Sequence, residues 1–430
     1  MDLKRLEIAR LYSRFGLGAR PGEYAQALKA GVAATRQSLL NQPQIDSGAV
    51  ALPTVTDLGK RPEPNTPEVI TFARDLRTQS EAIELWWLDQ MVATNKPLQE
   101  KMVWFWHGHW ATSIGKVNYA MPMLLQNQTF RKYALGNFND FAKAMFMDGA
   151  LQIWLDGGDN TVKAPNENLS REMMELFLLG VNRYTETDVK ELARAFTGYQ
   201  VSRSNGSITF NDKRRDTKSV TILGKSAVMT PEDAVTYLVS QTNCAQFIAE
   251  RIWFRFVSSQ TPIPVGHPMI GAFAGRDTGS LLATLVNGSD LANPQYEMVK
   301  SPVEWFVGVC RAFGLTPSKL DSFTKLHGYL DKLSQIPFSP PNVGGWPTNE
   351  AWLSSASAQF RITFATWLVG QSDLSTITER VPAAREAYLA DLLAVPEWSP
   401  RTSFALREVR DVVPRLVILA ICSPEYVVSA

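Results

Sequence analysis

Apolar residues recur every three or four positions along most of this chain, which is the spacing that places them on one face of an α-helix. This pattern predicts helices over residues 3–14, 22–30, 67–94, 97–113, 118–135, 166–180, 185–198, 231–257, 302–313 and 352–370. Thr185 with Asp188 forms a capping-box sequence at one helix start, and Thr230, Pro231 and Asp233 mark another. The chain is therefore predicted to be all-α, a bundle-like assembly of many helices.

Strand-like sequence is confined to one region. Residues 200–203 and 207–210 flank a Ser-Asn-Gly turn, and residues 220–223 predict a third short strand. We therefore expect a single helical domain over residues 1–430 that carries a small β insertion at 200–223.

Two segments contain too much proline and glycine for regular structure. Residues 42–66 combine proline, threonine and glycine, and they predict an irregular surface excursion because no complete core precedes them. Residues 335–350 hold four prolines and two glycines, so fixed φ angles and turns shape that backbone. Stiff loops of this kind often line ligand-binding or active sites.

Composition and charge narrow the class of protein. The 430 residues are 45% hydrophobic, which is enough for a large core. Forty-three basic residues against 42 acidic ones give a formal charge of +1, so we expect no nucleic-acid partner. Cys244, Cys310 and Cys422 are far apart and predict neither a disulfide framework nor a paired-cysteine metal site.

Targeting and cofactor motifs are missing from the sequence. The first residues alternate charged with apolar positions, which predicts neither a signal peptide nor a membrane span. We therefore expect a cytoplasmic chain. No nucleotide-binding, zinc-protease or nucleophile-elbow motif occurs, so the sequence assigns no cofactor and leaves any metal unknown.

The stretch PNENLSREMMELFLLG, which begins at Pro165, concentrates the candidate chemistry. Five residues share one arc of about 140° on a helical wheel: Glu167, Asn168, Arg171, Glu172 and Glu175. Leu178 and Leu179 project into the same arc one turn later, so we expect the charges to be enclosed.

This cluster has two interpretations. In the structural one, Arg171 pairs with Glu167 and Glu175 at i,i+4 spacing in a buried network. In the functional one, Glu172 and Glu175 are paired carboxylates that hold a hard cation or act as general base and acid. Glu167, Asn168 and Arg171 would then bind the ligand.

The histidine and tryptophan residues also have two interpretations each. His107 and His109 cannot share one metal ion on a helix, because positions i and i+2 point in nearly opposite directions. They are either packed core histidines, or one of them, His107, is a ligand or acid/base group. Trp346 and Trp352 lie in or beside the 335–350 loop and are the candidates for exposed stacking, whereas the other tryptophans predict core packing.

Several motifs occur in a fixed order along the chain: FGLGARPGE, PLQEKMVWFWHGHWATS, NQTFRKYALGNF, PNENLSREMMELFLLG, YTETDVKELARAFTGY, KSPVEWFVG, PPNVGGWP and SPEY. In this combination the chain resembles the bacterial DUF1800 family over nearly its whole length. The resemblance implies a mostly helical bacterial protein with a DUF1501-type protein as its expected partner, because the two are often encoded side by side. Relatives frequently carry export signals, so export in complex with a partner is a further hypothesis.

The chain departs from the family pattern at two places. Many relatives place histidine where this chain has Phe177, and His-Asp where it has Arg215 and Asp216. Because two imidazole groups are missing, we favour a noncatalytic partner or scaffold that acts with another protein. The alternative is a hydrolase-like enzyme that uses the glutamates, His107 and a divalent metal under the PPNVGGWP loop.

Overall fold

The computed structural model describes residues 2–429. Its α-helices are α1 (Leu3–Arg10), α2 (Glu23–Ala30), α3 (Val32–Leu40), α4 (Glu68–Ala93), α5 (Pro97–His109), α6 (Ile114–Val117), α7 (Ala120–Tyr133), α8 (Phe138–Phe146), α9 (Gly149–Trp154), α10 (Glu167–Glu172), α11 (Glu186–Ala195), α12 (Pro231–Ser240), α13 (Thr242–Phe256), α14 (Pro268–Ala272), α15 (Thr278–Asn287), α16 (Pro302–Phe313), α17 (Phe323–Lys332), α18 (Ser355–Val369), α19 (Ser375–Thr378), α20 (Pro382–Leu392), α21 (Pro400–Glu408), α22 (Val413–Ile421) and α23 (Pro424–Val427).

Shorter helical turns extend or connect these helices. Two π-helical turns, Leu11–Phe15 and Met173–Leu178, continue α1 and α10. The 3₁₀ turns are Gly157–Asp159, Asp212–Arg214, Asp290–Ala292, Pro317–Lys319 and Asn349–Trp352. Among residues 2–429, each helix is too short or too polar to cross a lipid bilayer.

The predicted helical class is confirmed, since 59% of the structure is helix. Both predicted capping boxes form, at Thr185 for α11 and at Thr230 for α12. The predicted helix over 231–257 is two helices, because Gln241 adopts an extended conformation with ψ of 143° and ends α12. Several helices were not predicted, among them α3, α8, α15, α17, α20, α21 and α22.

The β structure consists of three two-stranded antiparallel sheets in the described residues. Strand β1 (Tyr199–Val201) pairs with β2 (Ile208–Phe210), β3 (Val220–Ile222) with β4 (Lys225–Ala227), and β5 (Met298–Val299) with β6 (Val428–Ser429). The predicted hairpin therefore forms. The expected third strand makes its own hairpin instead, because Leu223 and Gly224 both have positive φ and form a tight two-residue turn.

Residues 42–66 contain no helix and no strand. Asp46 anchors this segment beyond the end of α4. Its carboxylate accepts hydrogen bonds from the Thr94 hydroxyl at 2.6 Å and from the Asn95 N–H at 2.8 Å. The excursion is thus held against the helical body at a defined point.

One large hydrophobic core joins distant parts of the chain, from Leu11 to Val427. Its largest fully buried side chains include Trp87, Trp106, Trp110, Trp253 and Trp305. Helix α5 is buried along nearly its whole length and carries two of the core tryptophans, Trp104 and Trp106, while Trp110 follows its last residue. The expected single domain over 1–430 stays a prediction, and its Met1 and Ala430 lie outside the described residues.

Candidate functional site

The predicted acidic cluster lies at the surface, on α10 and the π-helical turn that continues it. The side chains of Glu167 and Arg171 are 37% and 32% exposed. Glu172 and Glu175 are likewise only half-buried. The expectation that these charges are enclosed is therefore wrong.

Arg171 joins two helices. It donates to both carboxylate oxygens of Glu186 on α11, at 2.7 Å each, and to Glu167 at 3.2 Å. The predicted pairing of Arg171 with Glu175 is wrong, because Glu175 instead accepts a hydrogen bond from the Tyr184 hydroxyl. In a π-helical turn the backbone bonds run from i to i+5, so the α-helical wheel misplaces the residues within that turn.

Asn168 helps to hold the start of α10. Its N–H donates to the side chain of the capping residue Asn166 at 3.0 Å. Its amide donates to the carbonyl of Leu155 at 3.2 Å, just after α9. These bonds give Asn168 a structural task, and its predicted binding role stays a prediction.

The electrostatics of the cluster centre on Glu172. Partial burial raises the pKa of Glu172, and the nearby Glu175 raises it further, while Arg171 acts in the opposite direction. Among residues 2–429, no group of three or more His, Cys, Asp or Glu side chains is arranged to hold a metal ion. The carboxylates form an acidic surface next to one bridging arginine.

His107 lies in the aromatic core, 1% exposed. Its Nε2 accepts a hydrogen bond from the Phe338 N–H at 3.1 Å, so in the neutral ring the proton is on Nδ1. The rings of Trp87 and Trp346 lie edge-on at 5.1 and 5.2 Å from it. Burial lowers the pKa of His107 to about 3, so the imidazole is neutral at physiological pH.

His109 also lies in the core, on another side of α5. Its Nε2 donates to the carbonyl of Phe177 at 2.9 Å, which links α5 to the π-helical turn after α10. Burial, followed by the nearby Arg251 charge, lowers the pKa of His109 to about 3. No hydrogen bond or ion pair joins either histidine to a glutamate of the acidic cluster within the described part of the chain.

The 335–350 loop packs directly on α5. Gly345 has φ of +87°, and a Cβ atom there would lie 2.4 Å from the carbonyl oxygen of Gly108, the residue between the two histidines. Only glycine allows this approach. Trp346 and Trp352 are 5% and 3% exposed, so their expected exposed stacking is wrong. Trp346 instead stacks on Trp104 at 4.9 Å between ring centroids.

Beneath this loop lies a cavity of about 40 Å³ that we name the Arg255 cavity. Its lining includes Lys101, Trp104, Arg255, Ser301, Glu304 and Trp352. Lys101 pairs with Glu304 at 2.5 Å, and Glu304 also accepts from the Ser301 N–H at 3.0 Å. Burial opposes ionisation of Glu304, but Lys101 outweighs it and the pKa of Glu304 is lowered.

Lys300 lies on the other side of Glu304, in a second small cavity. Its ammonium nitrogen is 3.6 Å from the ring centroid of Tyr426, a close cation–π contact. Burial, followed by the charge of Lys101, lowers the pKa of Lys300 to about 7. These side chains were not predicted as site residues. Their signal was present, since Lys300 and Glu304 lie in KSPVEWFVG and Tyr426 ends SPEY.

The fold and these two charged regions define a mostly helical protein with an acidic surface at α10 and a group of cations in its interior. The chain belongs to the DUF1800 family, described as proteins of unknown function, whose family model matches residues 10–428. No curated protein and no solved structure matches the chain.

Proposed function

We propose that this protein works as a noncatalytic partner of another protein, and that the acidic surface around α10 receives a basic segment of that partner. The surface consists of Glu167, Glu172, Glu175 and Glu186. The cations beside these four carboxylates are Arg171 and Lys190. This excess of negative charge on partly exposed side chains is the observation that carries the proposal.

The arrangement supports binding over a hydrolase-like mechanism. Catalysis of that kind would need His107 and the glutamates to reach one substrate. His107 is 1% exposed and surrounded by aromatic rings, whereas Glu172 and Glu175 are half-buried at the surface. The 335–350 loop covers His107 and not the glutamates, so the two halves of that alternative site do not come together.

A basic partner would reduce the electrostatic repulsion between the carboxylates of Glu172 and Glu175. The pKa of Glu172 is raised by burial and by Glu175, so the ionised form of Glu172 is less favoured here than in water. A lysine or arginine placed between them would stabilise both ionised groups. Binding through such contacts is expected to be fast and to weaken with salt.

The test uses the DUF1501-type protein that the family resemblance implies as the partner. Isothermal titration calorimetry at low and high salt should show a complex, with the affinity of the double variant Glu172→Gln/Glu175→Gln reduced about tenfold or more at low salt. The matched control is Glu63→Gln/Glu379→Gln, which removes two exposed carboxylates elsewhere and should bind like the wild type. Absence of a complex, or wild-type affinity in the α10 variant, would refute the proposal.

A further inference from the structure

The interior next to the Arg255 cavity holds more cations than anions. Lys101 and Arg255 line the cavity, and Glu304 is its one acidic residue among the described residues. Lys300 and Arg361 act electrostatically on each other beside Glu304, and Arg251 does so with Arg255. Glu304 pairs with Lys101 and also attracts Arg255 and Lys300, so a single carboxylate faces several cations.

Several hydrogen-bond donors in this region have no partner. Within residues 2–429, Arg255 makes no ion pair and no side-chain hydrogen bond, although its guanidinium lies against Gly108 and the cavity. The hydroxyl of Ser301, the N-cap residue of α16, is buried in the cavity lining without a hydrogen-bond partner. Nε and Nη2 of Arg361, which is 4% exposed and lies outside the cavity lining, are also buried without a partner. Arg255 is only half-buried, whereas the donors of Ser301 and Arg361 are fully buried and are costly unless a ligand satisfies them.

We propose that the Arg255 cavity binds a small carboxylate, held by the guanidinium of Arg255 and the hydroxyl of Ser301. A carboxylate would supply the missing negative charge and accept hydrogen bonds from both groups. The planar fork of a guanidinium matches the two oxygens of a carboxylate. This proposal does not depend on the role of the acidic surface at α10.

The size and walls of the cavity select the ligand. A volume of about 40 Å³ accommodates roughly three or four water-sized groups, which suits the four heavy atoms of acetate better than the five of phosphate. The rings of Trp104 and Trp352 form apolar walls, so a short aliphatic group attached to the carboxylate is tolerated.

The first experiment measures acetate binding to the full-length protein in Tris chloride. At constant ionic strength, acetate should bind at one site per chain in calorimetry and raise the melting temperature. Arg255→Gln should weaken acetate binding about tenfold or more, and Ser301→Ala should weaken it severalfold. The control Arg74→Gln removes a side chain that is 71% exposed and should leave binding unchanged.

The two variants test the proposal independently of each other. Ser301→Ala removes a single oxygen, so its effect on binding can be read even if Arg255→Gln fails to fold. Failure of acetate to bind, binding of inorganic phosphate or chloride in its place, or wild-type affinity in both variants would overturn the proposal.

A second readout uses the proton on Lys300. Its pKa of about 7 should rise when an anion binds nearby, so binding at about pH 8 should take up protons. Calorimetry in Tris and imidazole buffers, which have different ionisation enthalpies, measures that uptake. Lys300→Met should abolish it, and binding without proton uptake in the wild type would contradict the placement of the anion.

Discussion

At the scale of single residues, neutral histidines in the core make this protein sensitive to acid. His107 is 1% exposed, and its pKa is lowered from 6.5 to about 3 by burial. Above pH 6.5 the ring is neutral in both folded and unfolded chains. Below that value the unfolded chain binds a proton that the folded chain does not, so stability falls as pH decreases toward 3.

We predict that His107→Gln costs less stability in acid than at neutral pH. The glutamine oxygen can accept the Phe338 N–H bond, so the variant should fold, but it does not titrate. From about pH 7 to about pH 5, the wild type should lose about 2 kcal/mol that the variant retains. Urea unfolding of both proteins at the two pH values measures this loss. If wild type and variant lose the same stability between about pH 7 and about pH 5, folded His107 takes up a proton in that range, which would contradict the lowered pKa.

His327 should behave in the opposite way and serves as the comparison. Its Nδ1 lies 2.9 Å from a carboxylate oxygen of Glu84, and this hydrogen bond raises the pKa of His327. Its stabilisation is present below the unfolded pKa and is lost as pH rises through the folded one. His327→Gln should therefore be more damaging at about pH 5 than at about pH 9, as measured by urea unfolding; a larger cost at the higher pH would contradict the raised pKa.

At the scale of elements, the sequence predicts capped helix starts better than it predicts whether a turn is α-helical or π-helical. Thr185 and Thr230 mark helix starts because a cap needs only local hydrogen bonds. The π-helical turn Met173–Leu178 has no local signal, and it is what moves Glu175 from Arg171 to Tyr184. A wheel drawn at a constant angle cannot show this change, so the acidic residues were found but their partners were not.

The cap of α11 connects three elements. Thr185 accepts from the Asp188 N–H at 3.2 Å, while Oδ1 of Asp188 accepts from the Leu223 N–H at the β3–β4 turn at 2.7 Å. Thr185→Ala should lower the free energy of unfolding by about 1 kcal/mol, because a helix N–H loses its partner. Thr363→Ala, at an exposed interior position of α18, should change it little. Equal losses in the two variants, measured by urea denaturation, would contradict the capping role.

At the scale of the whole molecule, net charge conceals how the charges are distributed. A formal charge of +1 makes a nucleic-acid partner a poor expectation, but it does not show that cations gather around the Arg255 cavity and carboxylates at α10. Three of these cations are distant in sequence: any two of Lys101, Arg255 and Lys300 are more than 40 residues apart. They come together because α5 and α13 pack beside the start of α16, which Lys300 precedes. The interior site therefore depends on tertiary contacts that no local pattern predicts.

Arg14 shows how the same packing ties distant segments together. It is 4% exposed and donates to the carbonyls of Val257 at 3.0 Å and Ser429 at 2.6 Å, and also to the carbonyl of Tyr296. Each carbonyl belongs to a different part of the chain, so one guanidinium links three distant segments to the π-helical turn Leu11–Phe15. Removing it leaves one buried and two part-buried carbonyl acceptors without this donor.

We predict that Arg14→Gln lowers the free energy of unfolding by about 3 kcal/mol or more, because the shorter amide cannot reach all three carbonyls. The same change at the exposed Arg401 should cost little. Urea unfolding followed by tryptophan fluorescence measures both. A variant as stable as the wild type would contradict the prediction. It would mean that the hydrophobic core, and not Arg14, holds the segments near residues 257, 296 and 429 together. Hydrogen exchange gives a local readout of the β5–β6 pairing. If Arg14 supports that pairing, the backbone amides of Val299 and Val428 should exchange faster in Arg14→Gln than in the wild type.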